Sequence, residues 1–505
     1  MQYVGSRYVP KFMGAYDATQ AYEALCVVDN GLGTSYISKK PTPAGTVLTD
    51  TTYWAVYGAS SGAIINLQNQ IDDMKDGSIN GSLQNQINIL STANYIPLSA
   101  FTGVDDTAKL QTAVDNVSFI YIDDDISIAT IDITKPVTIY LGGHKITSIT
   151  NENNTFNIRS SGVTIFGGEI ETTVDDVNNV QSFGSCIYIN DRVYTSGQIK
   201  YIDIHDLKVS TNGVCAITSL GETCYSRFYN LEIDGSRSTY VYPEGINFEW
   251  YGTAHVSTFH PHDILCDNIY VHDLEVGVRT AAAFNMIFSN IYVINAAYGV
   301  AITSGDFGGE AAQNRYKKSI NRNHIIDNVT AYNSNLAVGL NGITTYPYGD
   351  IQANIRNVTA FDKPTVGAIV NISNAFNTVI ENCRGDNLHN GIIITAHDST
   401  VKDCFIANIQ NIGIQVQGDN NHIDNNRIYN SNLAENVGIQ GSSILASSGE
   451  RVRITNNIVG GGDDEHQYFS IRNADDNSMI TQNIIYALAI NDSSTGSIVD
   501  NNITI

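Results

Sequence analysis

Charge is scarce in this chain. Asp, Glu, Lys and Arg together make up 15% of its 505 residues. One sign dominates, with 51 acidic residues against 27 basic ones and a formal net charge of −24. That balance disfavours nucleic acid or an anionic membrane surface as a partner. It also argues against a strongly anionic polymer as substrate, unless basic residues gather locally. The seven cysteines stand at 26, 186, 215, 224, 266, 383 and 404, and no two form a CxxC pair. No zinc site is expected, and no metal or other cofactor is assigned. The odd count and wide spacing predict reduced, buried thiols. No run of 18 apolar residues occurs, so no membrane span or insertion is expected. The start, MQYVGSRYVPKF, lacks the basic-then-apolar order of a signal peptide. The expectation is a chain made in a cytoplasm and carried outward by lysis or on an assembled particle.

Helix formers are also few. Asn, Gly, Ser and Thr abound, and 42% of residues are hydrophobic, enough for a sizeable core. That composition is β-rich and turn-rich. Length alone suggests about three domains, although one repetitive domain can be much longer.

Three regions follow from the order of residues. Residues 1–58 carry Tyr16, Tyr22, Tyr36, Tyr53, Trp54 and Tyr57 between turn signals at NGLG (30–33) and PTPAG (41–45). A unit this small needs large side chains for its core. Its order of aromatics resembles the small carbohydrate-binding modules of the chitin-binding type. Tyr16 stands where those modules commonly have Trp, and Leu25 where they have Gly. Similar modules open phage tail proteins, so docking to the virion is the other reading. Residues 59–98 form a second region. Ile64, Leu67, Ile71 and Met74 follow a 3-4-3 spacing, DGSING (76–81) interrupts, and Leu83, Ile87 and Leu90 resume. This predicts a short helical stalk, either oligomerising or packed on its own chain.

The third region, 99–505, opens on FTGVDDTAKLQTAVDN (101–116). Asp105 and Asp106 suit a helix N-terminus, and Leu110, Ala113 and Val114 share one face. The stretch resembles the GxxDDTxALQxA motif of pectate-lyase-like right-handed β-helices, phage tailspikes among them. There the helix, here near 105–116, caps the first coil and covers strand edges that would otherwise be unpaired.

Downstream, short strands recur with glycine turns. Gly213, Gly245, Gly277, Gly299, Gly367, Gly391, Gly413 and Gly438 each begin a segment that reads Gly, in, out, in. A second column places Asn or Asp before a strand, as in CDNIYV, FSNIYV, IDNVTA, IRNVTA, IENCRG, VKDCFI, IDNNRI and ITNNIV. A commonest spacing of about 21–25 residues is one turn of three short strands, the period of a parallel β-helix. Cys383 and Cys404 fall at one rung position and are expected to stack inside. The fold class is therefore all-β: a right-handed parallel β-helix with a small N-terminal β module and a helical stalk.

Some turns are longer than one coil needs, and the excess must leave as loops. By this argument a groove lies near residues 236–322, with compact turns from Gly367 to Gly438. Within that window, YPEGINFEWYG (242–252) alternates as a strand, with Glu249 at an outward position. Aligning the glycines puts Asn247 beside Arg279 and Ala301, and Glu249 beside Ala281 and Thr303. Arg279 is then one rung and one column from Glu249.

Two carboxylates across a sugar bond are what glycoside hydrolysis requires. Glu249 is the candidate general acid. Asp306 or Glu310 is the candidate partner, with Glu244 or Asp263 in reserve. Asn247, Trp250, Tyr251, His260, His262, Arg279 and Arg315 are candidate substrate-binding residues. A lyase is the second enzymatic reading, drawing on His260, His262, Arg279, Arg315, Lys317 and Lys318. The NTD...DD...GHG...RxK set of polygalacturonases and the calcium cluster of pectate lyases do not occur. The whole order resembles a tailspike or receptor-binding protein of a tailed phage or prophage. That resemblance implies a homotrimer on the virion tail, attached to tail or baseplate proteins and acting on a bacterial surface polysaccharide. A non-catalytic glycan-binding adhesin and a structural baseplate or fibre protein are the rivals on the same fold.

Overall fold

The computed structural model describes residues 2–4, 7–9, 11–30, 35–58, 95–149, 154–172, 184–190, 198–236, 243–249, 260–304, 321–342, 351–434, 442–460, 469–486 and 490–504. Of the expected stalk at 59–98, residues 59–94 lie outside them, as do Trp250, Tyr251, Asp306, Glu310 and Arg315. The chain divides into two compact units, Met1–Tyr95 and Ile96–Ile505.

In the first unit, strands Lys11–Ala15, Cys26–Asp29, Ser35–Ser38 and Trp54–Gly58 form one sheet. Tyr22, Cys26, Val28 and Trp54 are its core. Tyr16 and Tyr22 meet the Trp54 ring edge-on, with centroids 6.0 and 5.4 Å away, so aromatic area does what chain length cannot. Leu25 has φ 64°, the left-handed region that favours glycine.

The second unit is a right-handed parallel β-helix. Its one described α-helix, Asp106–Asn116, starts where Asp105 accepts a hydrogen bond from the Ala108 N–H at 2.8 Å. Leu110, Ala113 and Val114 are buried, the three residues expected on the inner face. Strands then alternate between a fourteen-stranded and a twenty-six-stranded sheet. In the larger sheet one long strand per turn, such as His262–His272, bends at a residue in the left-handed region, here Asn268 with φ 51°. Later turns split at the same place, as in Thr400–Lys402 and Phe405–Ile409 around Asp403. Each turn therefore has three faces.

The interior is filled by alternate residues. Ile217, Ile246, Val278, Val300, Val338, Val370, Ile392, Ile414, Ile444, Ile471 and Ile490 follow one another rung by rung. Each buried aliphatic side chain contributes about 1.5–3 kcal/mol of hydrophobic stabilisation before entropy is subtracted.

The register corrects part of the glycine column. Gly245, Gly277, Gly299, Gly391 and Gly413 do align, but Gly213 and Gly367 do not. Ile217 pairs with Ile246, which puts Ala216 level with Gly245, and Val370 pairs with Val338, which puts Ile369 level with Ala337. Glycine is needed only where the next rung comes close. A Cβ on Gly245 would lie 2.4 Å from the Gly277 carbonyl oxygen, and one on Gly277 2.6 Å from that of Gly299. Gly438 lies outside the described residues.

The Asn/Asp column occupies the bend. Asn tolerates positive φ, and its amide bonds to the rung below. Asn268 Nδ2 donates to Asn230 Oδ1 at 2.8 Å, Asn328 to Asn290 at 2.6 Å, and Asn382 to Asn357 at 2.6 Å. All seven cysteines are buried and unbridged. Cys404 stands in an interior column, where burial and neighbouring Cys383 push its thiol well above the usual range. The Cys404 N–H donates to Asn426 Oδ1 at 3.0 Å, and Asn426, Asn457, Asn483 and Asn502 then bond in series.

Candidate active site

The fourteen-stranded sheet carries a cavity of about 820 Å³ on its outer face. Five consecutive strands supply most of its lining: Glu244–Glu249, Val276–Ala281, Tyr298–Thr303, Leu336–Asn341 and Ala368–Phe376. The register puts Asn247 beside Arg279 and Ala301, and Glu249 beside Ala281 and Thr303. Ile246 and Phe248 point inward and are fully buried. Period-2 alternation therefore turns Asn247 and Glu249 to the cavity.

Glu244 also lines the cavity, as do Val276 and Tyr298, its partners on the next two rungs. Arg279 Nη1 donates to Glu244 Oε1 at 2.8 Å. The buried Cys215 thiol lies 3.6 Å from Glu244 Oε2, and burial together with the Glu244 charge pushes that thiol well up. Arg279, which the sequence places within reach of Glu249, thus holds the acid at the start of the same strand. The two glutamates are five residues apart, about 16 Å along an extended strand.

A third carboxylate, Glu275, comes from the turn before the next rung. Its backbone N–H donates to the Pro243 carbonyl at 2.8 Å, which ties it beside the start of the Glu244 strand. Burial raises its pKa, and the charge of Glu244 raises it further. Sequence reasoning missed Glu275 because it precedes the Gly, in, out, in segment. The signal that would have found it is an acid in the turn one rung from Glu244.

Asn247 is 2% exposed, and its Oδ1 has no hydrogen-bond partner among the described residues. A buried amide oxygen left without a donor is costly, on the order of 1–3 kcal/mol. In a cavity wall it is an acceptor available to a ligand hydroxyl. Asn341, Asn371 and Ser373 extend the polar lining beyond the expected window of 236–322, the last two onto turns expected to be compact. There the sheet face itself makes the wall.

The histidines separate. His262 and Asp263 begin a strand of the larger sheet and do not line the cavity. His262 stacks on Phe284 at 4.6 Å, with Nδ1 2.7 Å from Asp263 Oδ2 and Nε2 3.4 Å from Glu222 Oε1. Asp263 also accepts from Asn285 Nδ2 at 2.9 Å, which makes it a member of a turn ladder. His260 comes nearer. Its Nδ1 lies 2.8 Å from the carbonyl oxygen of Ala282, next to the register partner of Glu249, and burial pushes its pKa down to about 4.

No family model matches the chain, and no curated protein matches it. Solved structures do. The receptor binding domain of the Siphovirus 9NA tailspike is similar over 82% of this chain and 78% of its own, with 13% identity and a TM-score of 0.40. The A-module of a mannuronan C-5 epimerase from Azotobacter vinelandii is similar over 82% and 99%, with 10% identity and a TM-score of 0.45. An exopolygalacturonase from Thermotoga maritima is similar over 73% and 92%, with 12% identity and a TM-score of 0.43. The chain itself is a right-handed parallel β-helix whose fourteen-stranded face holds three glutamates and an arginine in one cavity.

Proposed function

We propose that this cavity binds and hydrolyses a bacterial surface polysaccharide, and that the chain serves as a tailspike-type receptor-binding protein of a phage or prophage. The observation that carries the reading is the lining itself. Glu244, Glu249 and Glu275 share one polar groove with Arg279 and an unpartnered amide oxygen on Asn247. Carboxylates supply the acid and the base of glycoside hydrolysis, and a row of small polar side chains suits sugar hydroxyls. Elimination at a uronate needs cations that neutralise the substrate carboxylate. The only cation among the described lining residues, Arg279, is bonded to Glu244, which favours hydrolysis. In this reading the protein is a homotrimer on the virion tail, and the unit at residues 1–58 docks to tail or baseplate proteins.

The test is incubation of the full chain with capsule or wall polysaccharide from its host, followed by sizing of the products. Shortened chains are expected from the wild type. Glycan binding with no shortening of any susceptible polysaccharide leaves the adhesin reading in its place.

A further inference from the structure

A second hollow, of about 400 Å³, lies beside the first. It is lined by Asp273, Asn295, Asn333, Asn335 and Lys363 with Pro243, Leu274 and two alanines. One residue, Glu275, lines both hollows. The residues on the far side belong to a turn ladder, in which Asn295 Nδ2 donates to Asp273 Oδ1 at 2.9 Å and Asn333 Nδ2 to Asn295 Oδ1 at 2.7 Å. Lys363 Nζ continues it, 3.2 Å from Asn333 Oδ1. Amides and an ammonium fixed along a ledge present donors and acceptors to sugar hydroxyls.

Extending the hydrolytic reading above, on which this inference rests, we propose that the glycan runs through both hollows with its scissile bond over Glu275, which acts as the general acid opposite Glu244. In the step, the Glu275 carboxyl gives its proton to the glycosidic oxygen as the bond from that oxygen to the anomeric carbon breaks. The oxygen of a water bonds to the anomeric carbon, and the proton it sheds passes to Glu244. Both glutamates then exchange protons with solvent.

Three observations support the pair over Glu249. Glu275 is one residue before Val276, the register partner of Glu244, so the two Cα atoms are about 6 Å apart. Backbones this close let both carboxyl groups reach one bond, whereas Glu244 and Glu249 start from Cα atoms ~16 Å apart along their strand. The environments of Glu244 and Glu275 also differ. Glu244 faces the Arg279 guanidinium, while burial and the Glu244 charge favour the protonated form of Glu275. Lastly, a residue standing between two hollows touches the sugars on both sides of the bond it cuts. Glu249 and Asn247 then belong to a binding subsite farther along the larger hollow.

The experiment uses the full chain and a capsular polysaccharide that the wild type shortens, with release of reducing ends followed between about pH 4 and 9. Glu275→Gln is expected to lower kcat by roughly 10²–10⁴-fold, leave KM within about threefold, and abolish the alkaline fall of the pH profile. Glu275→Asp recovers part of the rate. Asn335→Ala raises KM and changes the sizes of the products while keeping the wild-type pH profile. Circular dichroism and melting of each variant identify any loss that comes from unfolding. A folded Glu275→Gln protein with kcat within about threefold of wild type and an unchanged pH profile overturns the assignment of the acid and leaves hydrolysis standing. A wild type that binds glycan and shortens none removes both.

Discussion

At the scale of single residues, an unmet hydrogen bond has different consequences in the groove and in the core. Asn247 Oδ1 is buried without a donor, and it faces a cavity. Asn247→Ala is therefore expected to weaken glycan binding about three- to tenfold, as one hydrogen bond of about 1 kcal/mol is lost. Its melting temperature should equal or exceed that of the wild type, because a strained acceptor is removed. A binding assay and a thermal melt on the same preparation check both halves. His324 is fully buried at an inward position, and among the described residues its ring nitrogens make no hydrogen bond of good geometry, the Ala283 backbone being the nearest polar group to act on it. Burial pushes its pKa down to about 3, against an ordinary value of 6.5. The unfolded chain takes up a proton below pH 6.5 that the folded chain refuses, so stability falls as pH drops through the window from 6.5 to 3. His324→Leu lacks that component. Denaturant unfolding at pH 7 and near pH 4 is expected to show the variant gaining on the wild type by on the order of 3 kcal/mol in the acid. Equal slopes for the two proteins would rule this out.

At the scale of elements, side-chain amides work in two settings that the repeat itself does not distinguish. In the outer bends they bond rung to rung at the surface, and in the late turns they run through the core. Asn457 receives from the Asn426 N–H and Nδ2 and donates to Asn483 Oδ1 and to the Ile423 carbonyl. Asn457→Leu leaves buried backbone and amide groups unmet, at a cost of about 3 kcal/mol or more. Asn290→Ala, in an exposed bend, is expected to cost about 1 kcal/mol. Chemical denaturation of the two variants reads the difference. The bend asparagines stood in the sequence as the single Asn of FSNIYV and the first Asn of ITNNIV, and both announced the bend. The second, interior Asn carried no signal of its own, since an Asn beside an Asn reads as turn. The same limit shaped the site. Asn247, Arg279 and Ala301 were legible because strands alternate with period 2, whereas Glu275 was not, because turns have no period. The cavity's reach to Ser373 was hidden for a third reason. Loop length reports where chain leaves the coil, but a sheet face makes a wall without any insertion.

At the scale of the whole molecule, every turn finds its partners in the next. His262 pairs with Phe284, 22 positions later, and Glu244 with Val276, 32 later. No described strand of the coil pairs with a strand many turns away. Stability is then close to a sum over neighbours. The same feature governs how the rod answers a mechanical load. Pulled by its termini in an optical trap, the coil has no distant clasp among its described strands to break and should peel from one end, releasing one turn at a time. A turn of 22 residues yields about 75 Å of slack, so the force trace is expected to be a staircase of such steps, longer where a turn carries extra residues. A single rupture releasing the whole coil at once would mean that cohesion is shared along the rod. For a molecule that meets a surface end-on or sideways, peeling sets a direction: the flank tolerates shear, and the ends are where the winding comes undone.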